Sequence, residues 1–516
     1  MNALPSSARK HSSILQSLGA ASLLILTAAC TTIEAPLKSE LESPSSTLRL
    51  CANWFEELDA TIDRAGVRDA GAYRVPGFPY LRVDRFSASF RDQAKDNPQA
   101  FDAWVTRLKA LDTKAREYEI RNLPPQFFPL AGIDDQAAAR VNTQSCAAQL
   151  AREDLGNAAQ RDLLVARAKV PDNYANWDRV LGLYPVASIP FSKGVEGWHQ
   201  EAAEMFRKAS VETTSATGIV RYESGIKPVT EEQVTAIFLH LNTDALGIPQ
   251  FTDEERDVLF QAYAPAYEIE TTGEYDRLGP LSWRNGPAPE VDPTRFVAYR
   301  RLAFTRFYGK ILAQLVYTIW FPERPSSGAT DLLAGRLDGV VFRVTLGIDG
   351  APLVYDTIHP CGCYHMFFPT ARVKLLPAPE PAIEWAFVPL RLPALVAAQR
   401  VVVRIASRTH YVVDVRPDTT ASGIAYRFAD DSDLRALPAA EHRTRSAFGP
   451  DGIVPGTERG ERFLFWPMGI DNSGAMRQWG THATAFIGRR HFDDADLIER
   501  RFEISSGGQT TSVQPK

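Results

Sequence analysis

Four residues able to bind a soft metal ion stand close together in the run His359-Pro360-Cys361-Gly362-Cys363-Tyr364-His365. All four occupy odd positions. On a straight strand they would share one face at a spacing of about 6.6 Å. That is too wide for adjacent ligands of one tetrahedral ion, whose metal bonds are only about 2.0–2.3 Å. Pro360 and Gly362 argue against a straight strand, and a turn there could gather two or three of His359, Cys361, Cys363 and His365. Thiolate and imidazole together favour zinc or copper. The spacing differs from the usual zinc pattern, in which at least two residues separate the cysteines. Two other readings compete with a metal site. One is a structural Cys361–Cys363 disulfide, a small ring prone to strain; the other is redox or thiol chemistry by the pair.

A second cluster lies near the C-terminus: Arg477, Trp479, His482, Arg489, Arg490, His491, Asp493 and Asp494. Guanidinium groups pair bidentately with carboxylate and phosphate, so His482, Arg489, Arg490 and His491 are candidate contacts for an anion or ligand. The plainer expectation is an internal network joining Arg489 or Arg490 to Asp493 or Asp494. His410 shares a predicted strand face with Val412 and Asp414, where a histidine more often makes a core hydrogen bond than a reaction. His199 and His240 fall in predicted helices, and His199-Gln200-Glu201 does not build the His-Glu-x-x-His motif of zinc proteases. The chain has no Gly-x-Ser-x-Gly elbow, no P-loop and no dinucleotide-binding glycine motif after a strand. Carboxylates are plentiful, but no spacing singles out an acid–base pair. Aromatic runs such as Tyr317-Thr318-Ile319-Trp320-Phe321 and Met366-Phe367-Phe368 read as β core before they read as a ligand pocket.

The elements that must position these groups change character along the chain. Leu50, Trp54, Phe55, Leu58 and Ile62 recur at helical spacing and predict a helix over 48–65 that ends at Gly66. Asn97-Pro98 is a cap and first-turn pair that opens another. Residues 135–168 read as helix broken near Gly156. Thr230 to Gln233 and Thr252 to Glu255 each fit a capping box before an apolar run. Beyond Pro265 the period shortens to two. Strands are predicted over 295–304, 310–321, 340–346 and 353–358, then over 383–391, 400–407, 410–416, 462–466 and 482–488. Ile348-Asp349-Gly350 supplies a hairpin turn. The expectation is an α+β fold, with a mainly helical domain over 48–265, a mainly antiparallel β domain over 266–500, and a disordered tail over 501–516.

The N-terminus is a targeting segment. Arg9 and Lys10 precede an apolar stretch over 14–26, then Thr27-Ala28-Ala29 and Cys30. That stretch is too short to span a bilayer, and the order is that of a secretory signal. Leu26-Thr27-Ala28-Ala29-Cys30 resembles the lipobox of bacterial lipoproteins, with Thr27 where that family prefers leucine. The resemblance implies cleavage after residue 29, acylation of Cys30 and firm anchoring in a lipid bilayer. Thr31, in place of an aspartate, implies the outer membrane. Residues 31–47 are rich in Glu, Pro and Ser and read as a tether. With Cys30 lipidated, Cys51, Cys146, Cys361 and Cys363 remain. Two disulfides, Cys51–Cys146 and Cys361–Cys363, are the economical pairing in an oxidising compartment.

Composition bounds the rest. With 45% hydrophobic and 23% charged residues the body reads as ordinary folded protein, and a net charge of −5 with no basic, aromatic-interleaved cluster gives nucleic-acid binding no support. Two functions stay open: a non-enzymatic envelope protein that binds or scaffolds, and an envelope enzyme or metal-handling protein working from the 359–365 run.

Overall fold

Side-chain caps set where the early helices begin. In the computed structural model, which describes residues 46–211, 218–225, 228–284, 286–380, 383–418, 422–440 and 443–505, helix α1 is Ser46–Ala65 and stops at Gly66, whose φ is +65°. Helix α2, Pro98–Asn122, starts where the Asn97 side chain accepts the Ala100 N–H. Helices α3, Gln136–Gly156, and α4, Ala158–Arg167, are capped by Asp135 and Asn157, so the expected break falls at Asn157. Helices α5, Asn176–Leu181, and α6, Tyr184–Val211, follow. Both predicted capping boxes form, at α7, Glu231–Leu239, and α8, Asp253–Ala262. The signal segment, Cys30, most of the tether and residues 506–516 lie outside the described residues.

Helices α1 to α4 pack around a hairpin of β1, Tyr73–Val75, and β2, Phe78–Val83. Their shared core holds Phe55, Leu58, Trp104, Leu108 and Leu150. The Cys51–Cys146 disulfide ties α1 to α3 with the two Cα atoms 4.9 Å apart. Arg82 is buried beneath them, bound to both oxygens of Glu119 at 2.8 Å and to Asp112 at 3.2 Å.

The second core is a ten-stranded sheet. Its strands are β3 (Ile219–Ser224), β4 (Ala266–Glu270), β5 (Val297–Phe307), β6 (Lys310–Arg324), β7 (Gly335–Leu346), β8 (Pro352–Ile358), β9 (Met366–Pro369), β10 (Val401–Ile405), β11 (Val412–Pro417) and β12 (Ile424–Asp430). They lie in the order β9-β8-β7-β6-β5-β12-β3-β4-β10-β11. The run from β5 to β9 is an antiparallel meander, with Tyr317 opposite Phe342 and Arg300. Pairings β5·β12, β12·β3 and β4·β10 are parallel, so the sheet is mixed. One face carries Leu315, Tyr317, Ile319, Phe342 and Val344 and packs on Val234, Leu259 and Phe260 of α7 and α8. The other face is buried as well, because the C-terminal coil brings Met476 against Trp320 and Phe492 against Val316 and Val341.

The molecule is α+β, and several finer expectations change. The core changes before residue 265: β3 joins the sheet, and α7 and α8 cover it instead of joining the first helical cluster. Segments 383–391 and 482–488 are irregular coil. Arg462–Phe465 is a helical turn, α9, in place of a strand. Segments 383–391 and 482–488 are largely buried or half-buried as a coat over a finished sheet, so their β propensity does not decide their backbone, whereas Arg462–Phe465 buries none of its residues. The predicted tail is ordered as far as residue 505: Phe502–Ile504 pairs with Val373–Leu375, and Phe502 is buried beside Phe367 and Ile498.

Candidate functional site

The run from His359 to His365 is the turn that joins β8 to β9 at one edge of the sheet, just past the pair Thr357 and Met366. It closes on itself. The Gly362 N–H donates to the His359 carbonyl at 2.8 Å, and the His359 N–H donates to the Cys363 carbonyl at 3.0 Å. Gly362 sits at φ +91°, and a Cβ there would fall 2.5 Å from the Ala483 carbonyl oxygen, so glycine is required twice over.

The turn separates the four candidate ligands. His359 Nδ1 lies 3.1 Å from Asp338, and His365 Nε2 lies 3.0 Å from Asp356, which also holds Arg343. Each imidazole thus has its own buried carboxylate. Among the described residues no three His, Cys, Asp or Glu side chains gather as ligands for one ion, so His359, Cys361, Cys363 and His365 do not stand together as a zinc or copper ligand set in this arrangement. The predicted Cys361–Cys363 disulfide does not form either: both residues are free thiols. The Cys363 N–H donates to Cys361 Sγ at 3.4 Å. A hydrogen bond to Cys361, reinforced by burial, holds the Cys363 thiol protonated well above its ordinary range.

Asp338 collects a second histidine. His410 Nδ1 lies 3.0 Å from its other oxygen, and His410 Nε2 lies 3.4 Å from Asp276. Burial opposes a charge on His410, but the two aspartates outweigh it and raise its pKa. Burial lowers His359 despite Asp338, leaving a neutral ring whose Nε2 has no hydrogen-bond partner among the described residues. The order Asp276, His410, Asp338, His359 is a buried relay that ends under Tyr364 and Tyr411, whose rings lie 4.9 and 5.9 Å from His359.

Above those tyrosines is a cleft of about 380 Å³. Its floor is Cys361, Cys363, Tyr364 and His365; α6 supplies Phe191, Trp198 and His199; the C-terminal coil supplies Glu461, Phe465, Ser473 and Phe486. The Trp198 ring lies 5.2 Å from Tyr364 and 6.3 Å from Tyr411, and His199 stacks on Phe387 at 4.1 Å. Glu201, Glu384 and Glu461 line the cleft, and among the described residues no lysine or arginine does. Glu384 is bound by Arg490 at 2.8 Å and accepts the Phe486 N–H. Glu461 is different. It is buried and has neither an ion pair nor a side-chain hydrogen bond among the described residues. Burial raises its pKa to about 7, against the pull of Arg459 and Arg324. Gly474 makes room for it, since a Cβ there would overlap the carboxylate.

The C-terminal cluster proves to be a structural network with partners other than those expected. Arg489 binds Asp172 and Asn176, and Arg490 binds the Glu384 and Thr484 side chains and three backbone carbonyls. His491 sits between Asp172 and Asp494, each at 3.3 Å. His482 Nε2 meets the Pro360 carbonyl at 3.0 Å and so props the turn; burial brings its pKa down to about 3. Trp198, Tyr411 and Glu461 are the residues sequence reasoning missed. Nothing local marks them, because each reaches the cleft from a different segment. A scan against protein-family models and searches of curated proteins and of solved structures each found no match to this chain.

Proposed function

We propose that this chain is a lipid-anchored lipoprotein of the bacterial outer membrane whose body binds a small organic molecule in the cleft above the 359–365 turn. The observation that supports binding is a pair of polar groups left open in an aromatic cleft. Among the described residues, the Trp198 indole N–H is a buried donor without a hydrogen-bond partner, and the Glu461 carboxyl borders the cleft with no side-chain hydrogen bond or ion pair. Buried polar groups are nearly always paired, and an exception asks for an explanation. A ligand that brings one acceptor for Trp198 and one donor or cation for Glu461 would satisfy both. The volume lies within the range of about 300–1,000 Å³ usual for small-molecule sites. Three carboxylates line the cleft and among the described residues no lysine or arginine does; Arg490 already pairs with Glu384, and the other two carboxylates favour neutral or cationic aromatic compounds over anions.

The test is a thermal-shift screen of the processed chain, residues 31–516, with cationic, neutral and anionic aromatic compounds. The expected result is stabilisation by members of the first two classes, with the shift lost in Trp198→Ala and weakened in Glu461→Gln. A screen without hits, or hits that Trp198→Ala leaves untouched, overturns the reading. The anchor is tested separately: Cys30→Ser should release the protein from the membrane fraction or leave it uncut, and unchanged fractionation would remove the lipid.

One observation favours a second reading, acid–base catalysis. A carboxyl that titrates near 7 in a cleft is matched to proton transfer at neutral pH. Glu461 would be the proton-transfer group. The protonated Cys363 thiol beside it is poorly suited to act as a thiolate nucleophile. A ligand found in the screen that turns over in the native chain but not in Glu461→Gln would establish this reading; binding without turnover would dismiss it.

A further inference from the structure

The exposed large hydrophobic side chains are unevenly spread. Among the described residues, nine of eighteen sit on α5, the link to α6, the first turns of α6, α9 and the turn after it. Trp177, Val180, Leu183, Val186, Ile189 and Phe463 stand out most, with Trp177 74% and Phe463 73% exposed. The segments are clamped together. The Ala175 N–H donates to the Gly469 carbonyl at 2.7 Å, Arg179 Nε donates to the Met468 carbonyl at 2.8 Å, and the rings of Phe191 and Phe465 lie 5.5 Å apart. Residues 180–192 and 463–470 contain no Asp, Glu, Lys or Arg, so charge is confined to the margin of the face, at Asp178 and at Arg462, whose guanidinium lies 4.8 Å from the Phe463 ring. Scattered exposed apolar residues need no explanation, but a contiguous patch of this kind marks an interaction surface.

We propose that this face docks on the surface of a phospholipid bilayer. Trp177 and Trp466 are of the type that settles at the membrane–water interface, and Phe463 and aliphatic side chains supply the apolar surface beside them. A face whose charges stand only at its margin offers a protein partner little to pair with electrostatically and loses little against acyl chains, because charged heads at the rim stay at the headgroup level. Among the described residues no helix is long and apolar enough to cross a membrane, so the face rests on the bilayer and does not enter it as a span. The chain outside the structure supplies the geometry. Cys30 precedes Ser46 by 46 − 30 = 16 residues, an extended reach of about 53–58 Å. A body of this size has a radius of gyration of roughly 23 Å, so a tether from an acylated Cys30 lets any face turn to the membrane, and the apolar one has the reason to.

Phe191 and Phe465 belong both to this face and to the cleft lining, so the cleft borders the docked surface. Its ligand would then be an amphiphile that partitions into the bilayer. This extension rests on the binding reading above; the docking does not.

The experiment is flotation of residues 31–516, which carry no lipid, with neutral phosphatidylcholine vesicles at low and high salt. The expected result is co-flotation at both salt concentrations, with a blue shift of tryptophan emission, and at least a tenfold loss of partition in Leu183→Ser/Val186→Ser/Phe463→Ser. These positions are exposed, and unchanged circular dichroism would show that the variant folds. Trp177→Ser alone should remove part of the blue shift. Absence of wild-type co-flotation, or equal flotation of the triple variant, overturns the proposal. So would light scattering that shows a dimer which the same substitutions dissolve, since a second copy would then be the occupant. Vesicle binding with an empty ligand screen would sink the cleft reading and leave the docking face intact.

Discussion

The helical core and the cleft both bury charge, and they treat it in opposite ways. Under α1 to α3, Glu119 is fully buried, yet Arg82 and Arg116, with Arg74 and the Asp69 N–H, outweigh the desolvation and bring it down to about 2. Arg116 in turn binds Asp59. Every member of this cluster faces a partner. In the cleft, Glu461 is also buried but borders open space and aromatic rings, and burial outweighs the pull of Arg459 and Arg324 and raises its pKa to about 7. A compensated buried charge is a device of the fold. An uncompensated one that borders a cavity destabilises the fold, and it makes sense as part of a site that something else completes.

That contrast can be broken most forcefully in the helical core. Glu119→Ala removes the closer of the two buried carboxylates of Arg82, leaving Asp112, and should lower stability by about 3–5 kcal/mol. Chemical denaturation at pH 7 measures it. In the parent chain the contribution of Glu119 should be present above about pH 4.5, its unfolded range, and be lost as the pH falls through about 2. A loss below about 1 kcal/mol would mean that the cluster is not cooperative.

Next in size is the staple over the same core. Cys51→Ala/Cys146→Ala removes a cross-link between residues 95 apart in sequence and should lower stability by about 2–4 kcal/mol. A melt without reductant is the readout.

In the cleft the sign reverses. Glu461 binds its proton more tightly in the folded state than in the unfolded one. Stability should therefore fall as the pH rises from about 4.5 through about 7. Glu461→Gln should flatten that decline and leave the protein more stable at pH 8 by about 1–3 kcal/mol. Identical pH–stability curves for the two proteins would erase the distinction between the regions.

The smallest expected effect sharpens the comparison from outside. Val186→Ser on the exposed apolar face should change stability by no more than about 0.5 kcal/mol, because the side chain is already in water. A larger loss would show that this face is packed in solution.

Local signals reported the local structure well. The Asn97 cap, the Thr230 and Thr252 capping boxes and the break at Asn157 depend on contacts within a few residues, and all of them form. The meander from β5 to β9 also follows from period and turns, since its neighbours in sequence are neighbours in space. The parallel insertion of β12 between β5 and β3 was not legible, because nothing in a strand's own residues selects a partner more than a hundred positions away. The same limit governed the site. The residue types at 359–365 drew attention to the right turn, but their spacing suggested one shared ligand set.

By itself the sequence determined the helices α1 to α4, α7 and α8 with their caps, the strand meander, the pairing of Cys51 with Cys146 as the economical bridge, and a lipobox-like start whose Cys30 lies outside the described residues. Those features depend on chemistry held within a short stretch of chain, or on the arithmetic of a few rare residues. Only the tertiary structure decided that His359 answers to Asp338 and His365 to Asp356, that Cys361 and Cys363 remain thiols, and that Glu461 meets Trp198 and Tyr411 across one cleft. Desolvation and long-range packing set those outcomes, and both belong to the assembled fold and not to any segment of it.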